Sequence, residues 1–324
     1  MKVAYITEMH HLNESIKNSG LDSIPRNFKG MKTEVAWPTA LKAHLYGFGE
    51  KLKGEYDLGI IIIPKVGDPK LTLSNYITKD FIKIAKEKCK KTAIMQEGPA
   101  WYFQRYNLED QIFYYNCLQQ VDILLVHNEI DVKYFKGLTG RKNVFTLPTL
   151  MIEDAIPPLP QIERTGTMIG GNFVEWYGGF DSYIVSQAID EQVYSPKMGQ
   201  RQQGEENLVH QLPYMDWSQW ITELNKRKYA VHLMKTFAAG TFALNCAYLG
   251  IPCIGYKELD TQRICHPSLS VNFGDILEAK KLLRTLHTDE DFYNKCSEEA
   301  KLNYKKYYHE DIFNSTFKKQ LEVS

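Results

Sequence analysis

At 324 residues the chain exceeds the length at which a single hydrophobic core usually keeps growing, and its 44% hydrophobic and 24% charged residues are ordinary for a folded protein. Lysine plus arginine equals aspartate plus glutamate at 39 each, so net charge advertises neither a nucleic acid nor an anionic membrane as partner. The N-terminus turns polar within a few residues and no apolar run approaches the ~20 residues needed to cross a bilayer, so two domains, a cytoplasmic location and no membrane span are expected.

Val3 to Ile6 reads as a strand and Thr33 to Trp37 as a second. Residues 57–63 (DLGIIII), stopped by Pro64, are apolar on both faces, the pattern of a central parallel strand covered by helices. An amphipathic segment from Lys79 to Lys90 precedes a strand at Thr92 to Gln96. Leu108 to Gln120 is helical, Asp122 to Val126 a strand, Glu129 to Leu138 a helix with Asn128 as its N-cap, and Asn143 to Thr146 a strand. Pro148, Pro157, Pro158 and Pro160 then crowd a short stretch with the composition of a linker.

Alternation resumes with a strand at Thr167 to Gly170, a helix at Phe180 to Ala188 and a strand at Gln192 to Tyr194. Trp217 to Asn225 has helical spacing, Tyr229 to Leu233 is strand-like, Ala243 to Leu249 helical and Pro252 to Gly255 a strand. Three charged amphipathic helices close the chain from Ile276 onward. Strands alternating with single helices predict an α/β protein of two Rossmann-like, doubly wound parallel sheets, whose ligands bind beyond the carboxyl ends of the strands. The six cysteines lack a C-x-x-C pair and read as reduced, mostly buried thiols.

Four loops after strands are candidates for chemistry. Gly170-Gly171-Asn172 runs from a strand toward a helix, where backbone N–H groups can approach a phosphate. Gly240 and Thr241 stand at the start of another helix, with Lys235 before it and Asn245 about one turn inside. Glu97, on the Glu97-Gly98-Pro99 turn, is placed to take a proton from an attacking hydroxyl, and the aromatics after it, Trp101 first, either stack on a ligand or pack a core. His10 and His11 follow the first strand and border the same acceptor side, with no third ligand at metal spacing. A P-loop, a nucleophile elbow and a dinucleotide fingerprint after the first strand are all missing, which excludes the commonest nucleotide-hydrolysing, esterase and dehydrogenase designs.

The stretch Asn245-Cys-Ala-Tyr-Leu-Gly250-Ile-Pro252-Cys-Ile254 resembles the donor-site element E-A-x-A-x-G-x-P of GT-B glycosyltransferases. The carboxylate of that element is here Asn245, and a second glutamate common in one branch falls at Phe237. Gly170-Gly171-Asn172-Phe173, the segment 258–264 and the closing Phe317-Lys-Lys-Gln-Leu321 are also similar to the DNA β-glucosyltransferases of T-even phages. Arginines that follow the Gly-Gly turn in those enzymes are Val174 and Glu175 here.

The resemblance implies a GT-B arrangement: two Rossmann-like domains facing a cleft, with residues 1–155 on the acceptor side, 156–305 binding the donor, and a C-terminal helix, 306–324, returning to the first domain. It implies a nucleotide sugar as co-substrate, with Gly170, Gly171, Lys235, Gly240 and Thr241 at the donor phosphates, Asn172 also on the donor side, Asn245 at the ribose and Tyr214 near the base. Glu97 is then the catalytic base, with His10, His11 and Trp101 on the acceptor side. No D-x-D motif suited to divalent binding is seen, so neither a metal nor another cofactor is expected. The acceptor stays open among a modified base in phage DNA, a glycan and a small molecule. A non-catalytic nucleotide-binding or assembly protein and a sugar-nucleotide epimerase of the same fold are the alternatives.

Overall fold

A computed structural model describes residues 1–7, 16, 21–28, 30, 31, 33–48, 50–63, 79–174, 177–197 and 202–323. Its contacts divide the chain into two compact units: the first holds residues 1–26, 34–148 and 314–324, the second 27–33 and 149–313.

Among the described residues the first unit is built on a six-stranded parallel sheet of β1 (Val3–Thr7), β2 (His44–Gly47), β3 (Tyr56–Ile63), β4 (Cys89–Gln96), β5 (Ile123–Val126) and β6 (Val144–Thr146). The spatial order is β2-β1-β3-β4-β5-β6. The isoleucine run lies in β3, in register with β4 from Tyr56 opposite Cys89 to Ile63 opposite Gln96. Burial on both faces, with Ile60 and Ile61 wholly covered, is why this strand shows no alternation.

One expectation here is corrected. Residues 33–37 open helix α1 (Thr33–Ala40), and the edge strand is β2 instead. Residues 35–40 are all buried, so this stretch shows no alternation of buried and exposed positions, and a short apolar run without periodicity reads equally as a strand. The Trp37 indole donates to the Pro148 carbonyl at 2.9 Å. Helix α2 (Lys79–Lys88) also ends earlier than the amphipathic pattern, because Cys89 pairs with Tyr56 as the first residue of β4.

Helix α3 (Leu108–Gln120) is capped by Asn107, whose side chain accepts from the Asp110 N–H at 2.8 Å. Asn128 does stand at the N-cap of α4 (Glu129–Thr139), but its side chain makes no capping bond, so the expected side-chain cap is not formed. Its main-chain carbonyl instead accepts from the N–H groups of Asp131 and Val132.

The second unit repeats the plan with β7 (Thr167–Ile169), β8 (Val193–Ser195), β9 (His210–Gln211), β10 (Tyr229–His232), β11 (Cys253–Tyr256) and β12 (Ser270–Val271). All pairs are parallel, in the order β12-β11-β10-β7-β8-β9. Strand order therefore reverses between β7 and β10, the position at which doubly wound sheets hold ligands. Helices α5 (Gly179–Ser186), α6 (Trp217–Leu224), α7 (Thr241–Leu249), α8 (Asp260–Cys265), α9 (Ile276–Thr288) and α10 (Glu290–Asn303) cover it.

Arg164 ties the far ends of two of these helices. Its guanidinium donates to the Asn225 carbonyl at 3.0 Å and the Leu249 carbonyl at 2.9 Å, placing a cation where α6 and α7 present unsatisfied oxygens. The last helix, α11 (Glu310–Glu322), starts in the second unit and finishes in the first, where Lys91 Nζ donates to the Leu321 carbonyl at 2.8 Å. All six cysteines are buried and unpaired. Among the described residues no helix is long and apolar enough to cross a membrane.

Candidate functional site

The carboxyl ends of the second unit's strands surround a cavity of about 250 Å³. Gly170 after β7 forms one wall, Pro196 and Lys197 after β8 another, and Pro213 and Met215 after β9 a third. Trp217 and Trp220 on α6 and Thr241, Phe242 and Asn245 on α7 complete it. The volume lies just below the ~300–1,000 Å³ of small-molecule pockets, room for part of a nucleotide sugar rather than all of one.

Helix α7 meets this cavity with its amino end. Gly240 is its N-cap at φ +71°, a left-handed conformation that favours glycine, and no side chain caps the helix. The first intrahelical bond runs from the Leu244 N–H to the Gly240 carbonyl, so the N–H groups of Thr241, Phe242 and Ala243 have no partner within the helix. Two of those residues line the cavity, and the helix dipole adds partial positive charge there. The Thr241 and Thr149 hydroxyls lie 3.3 Å apart.

Gly170 has a steric reason to be glycine. A Cβ at this position would stand 2.2 Å from Cδ2 of the His232 ring, at the end of the neighbouring β10. Its N–H continues the sheet, donating to the Val231 carbonyl at 2.9 Å, and is already used. Gly171 packs against Tyr177, and Asn172 is buried, with Oδ1 accepting from the Val174 N–H at 3.2 Å.

Asn245 is 2% exposed. With its amide oriented to suit its neighbours, it donates to the Thr241 carbonyl at 3.2 Å and accepts from the Trp220 indole N–H at 2.9 Å. Lys235 is half exposed and sits 3.4 Å from the Asp181 carboxylate on the first turn of α5, outside the cavity wall. Tyr214 is 76% exposed, between the lining residues Pro213 and Met215. Phe237 packs edge-on against Phe273. Of the eight donor-side residues expected from sequence, the cavity brings together Gly170, Thr241 and Asn245.

Sequence reasoning missed Lys197, Trp217, Trp220 and Phe242 as cavity residues. The signal available was position, since Lys197 follows a predicted strand and Phe242 follows the flagged Gly240-Thr241 pair. The two tryptophans were visible only as part of a helix.

In the first unit Glu97 is half buried and directly follows β4. The turn beyond it is pinned where the Ala100 N–H donates to the Asp131 carboxylate of α4 at 3.1 Å. Gln96, immediately before it, is wholly buried and accepts from the Tyr114 hydroxyl. Trp101 is half buried, its ring edge-on to Tyr102 with centroids 4.6 Å apart. His10 and His11 lie outside the described residues.

Two histidines of the second unit are buried without compensating charge. Burial pushes His232 down to about 4, and His266, whose Nε2 lies 3.0 Å from the Ala243 carbonyl, also to about 4. An unfolded histidine binds its proton near pH ~6.5, so the unfolded chain takes up protons before the folded one and stability is lost as pH falls from ~6.5 toward ~4. Each ring contributes up to roughly 3 kcal/mol to that slope. Urea midpoints are expected to fall between about pH 7 and about pH 4.5, with His266→Gln flattening the curve; an unchanged slope in the variant would remove His266 from this account.

No family model matches the sequence, and no curated protein matches it. Solved structures do. HepE of Anabaena, in complex with UDP, superposes with a TM-score of 0.64 over 100% of both chains at 11% identity. An α-glucosyltransferase bound to UDP and a 13-mer DNA containing an HMU base gives 0.60 over 100% of this chain and 98% of that one, at 10% identity.

The chain has the GT-B fold.

TarM superposes with a TM-score of 0.61 at 9% identity over 81% of this chain, which spans only 54% of TarM's length. At these identities the likeness is one of architecture: two parallel α/β sheets followed by C-terminal helices.

Proposed function

We propose that the protein is a nucleotide-sugar-dependent glycosyltransferase, moving a sugar from its donor to an acceptor hydroxyl. The observation that carries this reading is the uncapped amino end of α7 at the wall of a cavity beyond the strand ends of the second unit. Backbone N–H groups that the helix itself does not use, together with a favourable dipole, suit the diphosphate that leaves as the glycosidic bond breaks. Lys197 adds a cation at the cavity, and the apolar remainder suits a nucleoside. UDP is the proposed carrier, because HepE and the α-glucosyltransferase are UDP-bound proteins of like architecture.

Glu97 is the proposed base. A carboxylate deprotonates the acceptor hydroxyl while the hydroxyl oxygen attacks the anomeric carbon and the diphosphate departs with the bonding pair. A hydroxylated DNA base is the acceptor favoured by the sequence likeness to phage enzymes; glycans and small molecules are the competing acceptors.

A non-catalytic nucleotide binder is the second reading. Its support is that the carboxylates expected of a donor site are replaced by Asn245, engaged with Trp220 and Thr241, and by Phe237, packed on Phe273.

A panel of UDP-, GDP-, ADP- and CDP-sugars separates the two. At about a hundred times its dissociation constant a true donor adds ~2.7 kcal/mol to stability, read as a raised melting temperature, and an enzyme also releases free nucleotide slowly in water. Stabilisation with no release of nucleotide on adding any of the three acceptor classes favours the binder. No stabilisation by any nucleotide would end both readings.

A further inference from the structure

The cavity wall contains a hydrogen-bond donor that the fold leaves unsatisfied. Trp217 opens helix α6, is 7% exposed and lines the cavity, and its indole Nε1 is buried with no hydrogen-bond partner. Buried N–H groups are almost always paired in folded proteins, so one without an acceptor calls for a reason. The neighbouring Trp220, on the same helix and the same cavity, shows the ordinary outcome: its indole N–H is taken by the Asn245 amide at 2.9 Å. Two tryptophans of one helix thus line one cavity, the indole N–H of one satisfied internally and that of the other not.

We propose that the Trp217 indole N–H is the base-recognising donor of this site, hydrogen-bonding an acceptor atom, a carbonyl oxygen or ring nitrogen, on the nucleobase of a nucleoside diphosphate. The inference rests on the reading of this cavity as the donor pocket. The surroundings select the base rather than the phosphates. Pro196, Pro213, Met215 and the two indoles present apolar surface suited to a flat heterocycle, whereas phosphate oxygens are matched by the N–H groups at the start of α7. A donor held on a rigid helix and already stripped of water gives up no solvation when the base arrives. Its hydrogen bond is therefore gained at little cost.

The test compares UDP with inorganic pyrophosphate, on wild type and Trp217→Phe, by calorimetry. Phenylalanine keeps an aromatic wall and removes only the donor and part of the ring, so UDP affinity is expected to fall roughly tenfold. Pyrophosphate affinity should stay within about twofold, since pyrophosphate has no base. A second measurement needs no variant: in the ¹H–¹⁵N spectrum of wild type, the Trp217 indole signal should move downfield on adding UDP, well beyond that of Trp220. UDP binding to wild type with the Trp217 signal unmoved, or equal UDP affinity in Trp217→Phe, would overturn this assignment and leave the donor pocket standing. Failure of wild type to bind UDP or any other nucleoside diphosphate would remove the pocket reading, and this inference with it.

Discussion

Glu97→Gln is expected to lower sugar transfer by ~10²-fold or more while changing donor affinity less than about twofold. The amide reproduces the carboxylate's shape and its ability to accept a hydrogen bond, but it cannot take a proton at neutral pH. An effect confined to turnover therefore isolates proton transfer from positioning. The residue sits where such a role is mechanically sound: directly past β4, after the buried Gln96, on a turn pinned to α4 through Ala100 and Asp131. Loss of donor affinity in step with turnover would assign Glu97 to binding, and an unchanged rate would remove it from the chemistry.

Much of this architecture is legible in the sequence because the physics that sets it is local. The unbroken isoleucine run announces a strand buried on both faces. Failures occur where local pattern carries no information. Residues 35–40 of helix α1 are all buried and so show no period; β9 and β12 are only two residues long, too short for any alternation to register.

The site divides the same way. Gly240 and Thr241 stand out because a helix start after a strand has a chemical meaning wherever it occurs. Gly170 does line the cavity, but the structure gives a steric reason for its being glycine: the His232 ring fills the space its side chain would need, and its N–H serves the sheet. That relation joins residues of two strands far apart in sequence, and only the fold brings them together. Trp217 is the extreme case, since an unpaired indole is defined entirely by what surrounds it.

Gly240→Ala is expected to destabilise the protein by about 2–4 kcal/mol and to abolish measurable binding of nucleoside diphosphates. Two separate penalties meet at this position. A left-handed backbone at φ +71° costs a residue with a Cβ about 1–2 kcal/mol, and the new methyl would lie 2.0 Å from the Thr261 hydroxyl. Thr261 is buried, and its hydroxyl donates to the Gly240 carbonyl at 2.9 Å, so it cannot withdraw without giving up the acceptor of a buried hydroxyl. Relief at Gly240 must therefore come from shifting the first turn of α7, whose N–H groups are the proposed diphosphate contacts. A double-mutant cycle with Thr261→Ala separates the two costs. In that background the 2.0 Å overlap is gone, leaving contacts of 3.1 Å to Cβ of residue 261 and 3.2 Å to Leu259 Cδ1 that yield by small shifts, and Gly240→Ala should cost little more than the backbone term, about 1–2 kcal/mol. The same penalty in both backgrounds would mean that the threonine contact plays no part in fixing the start of α7.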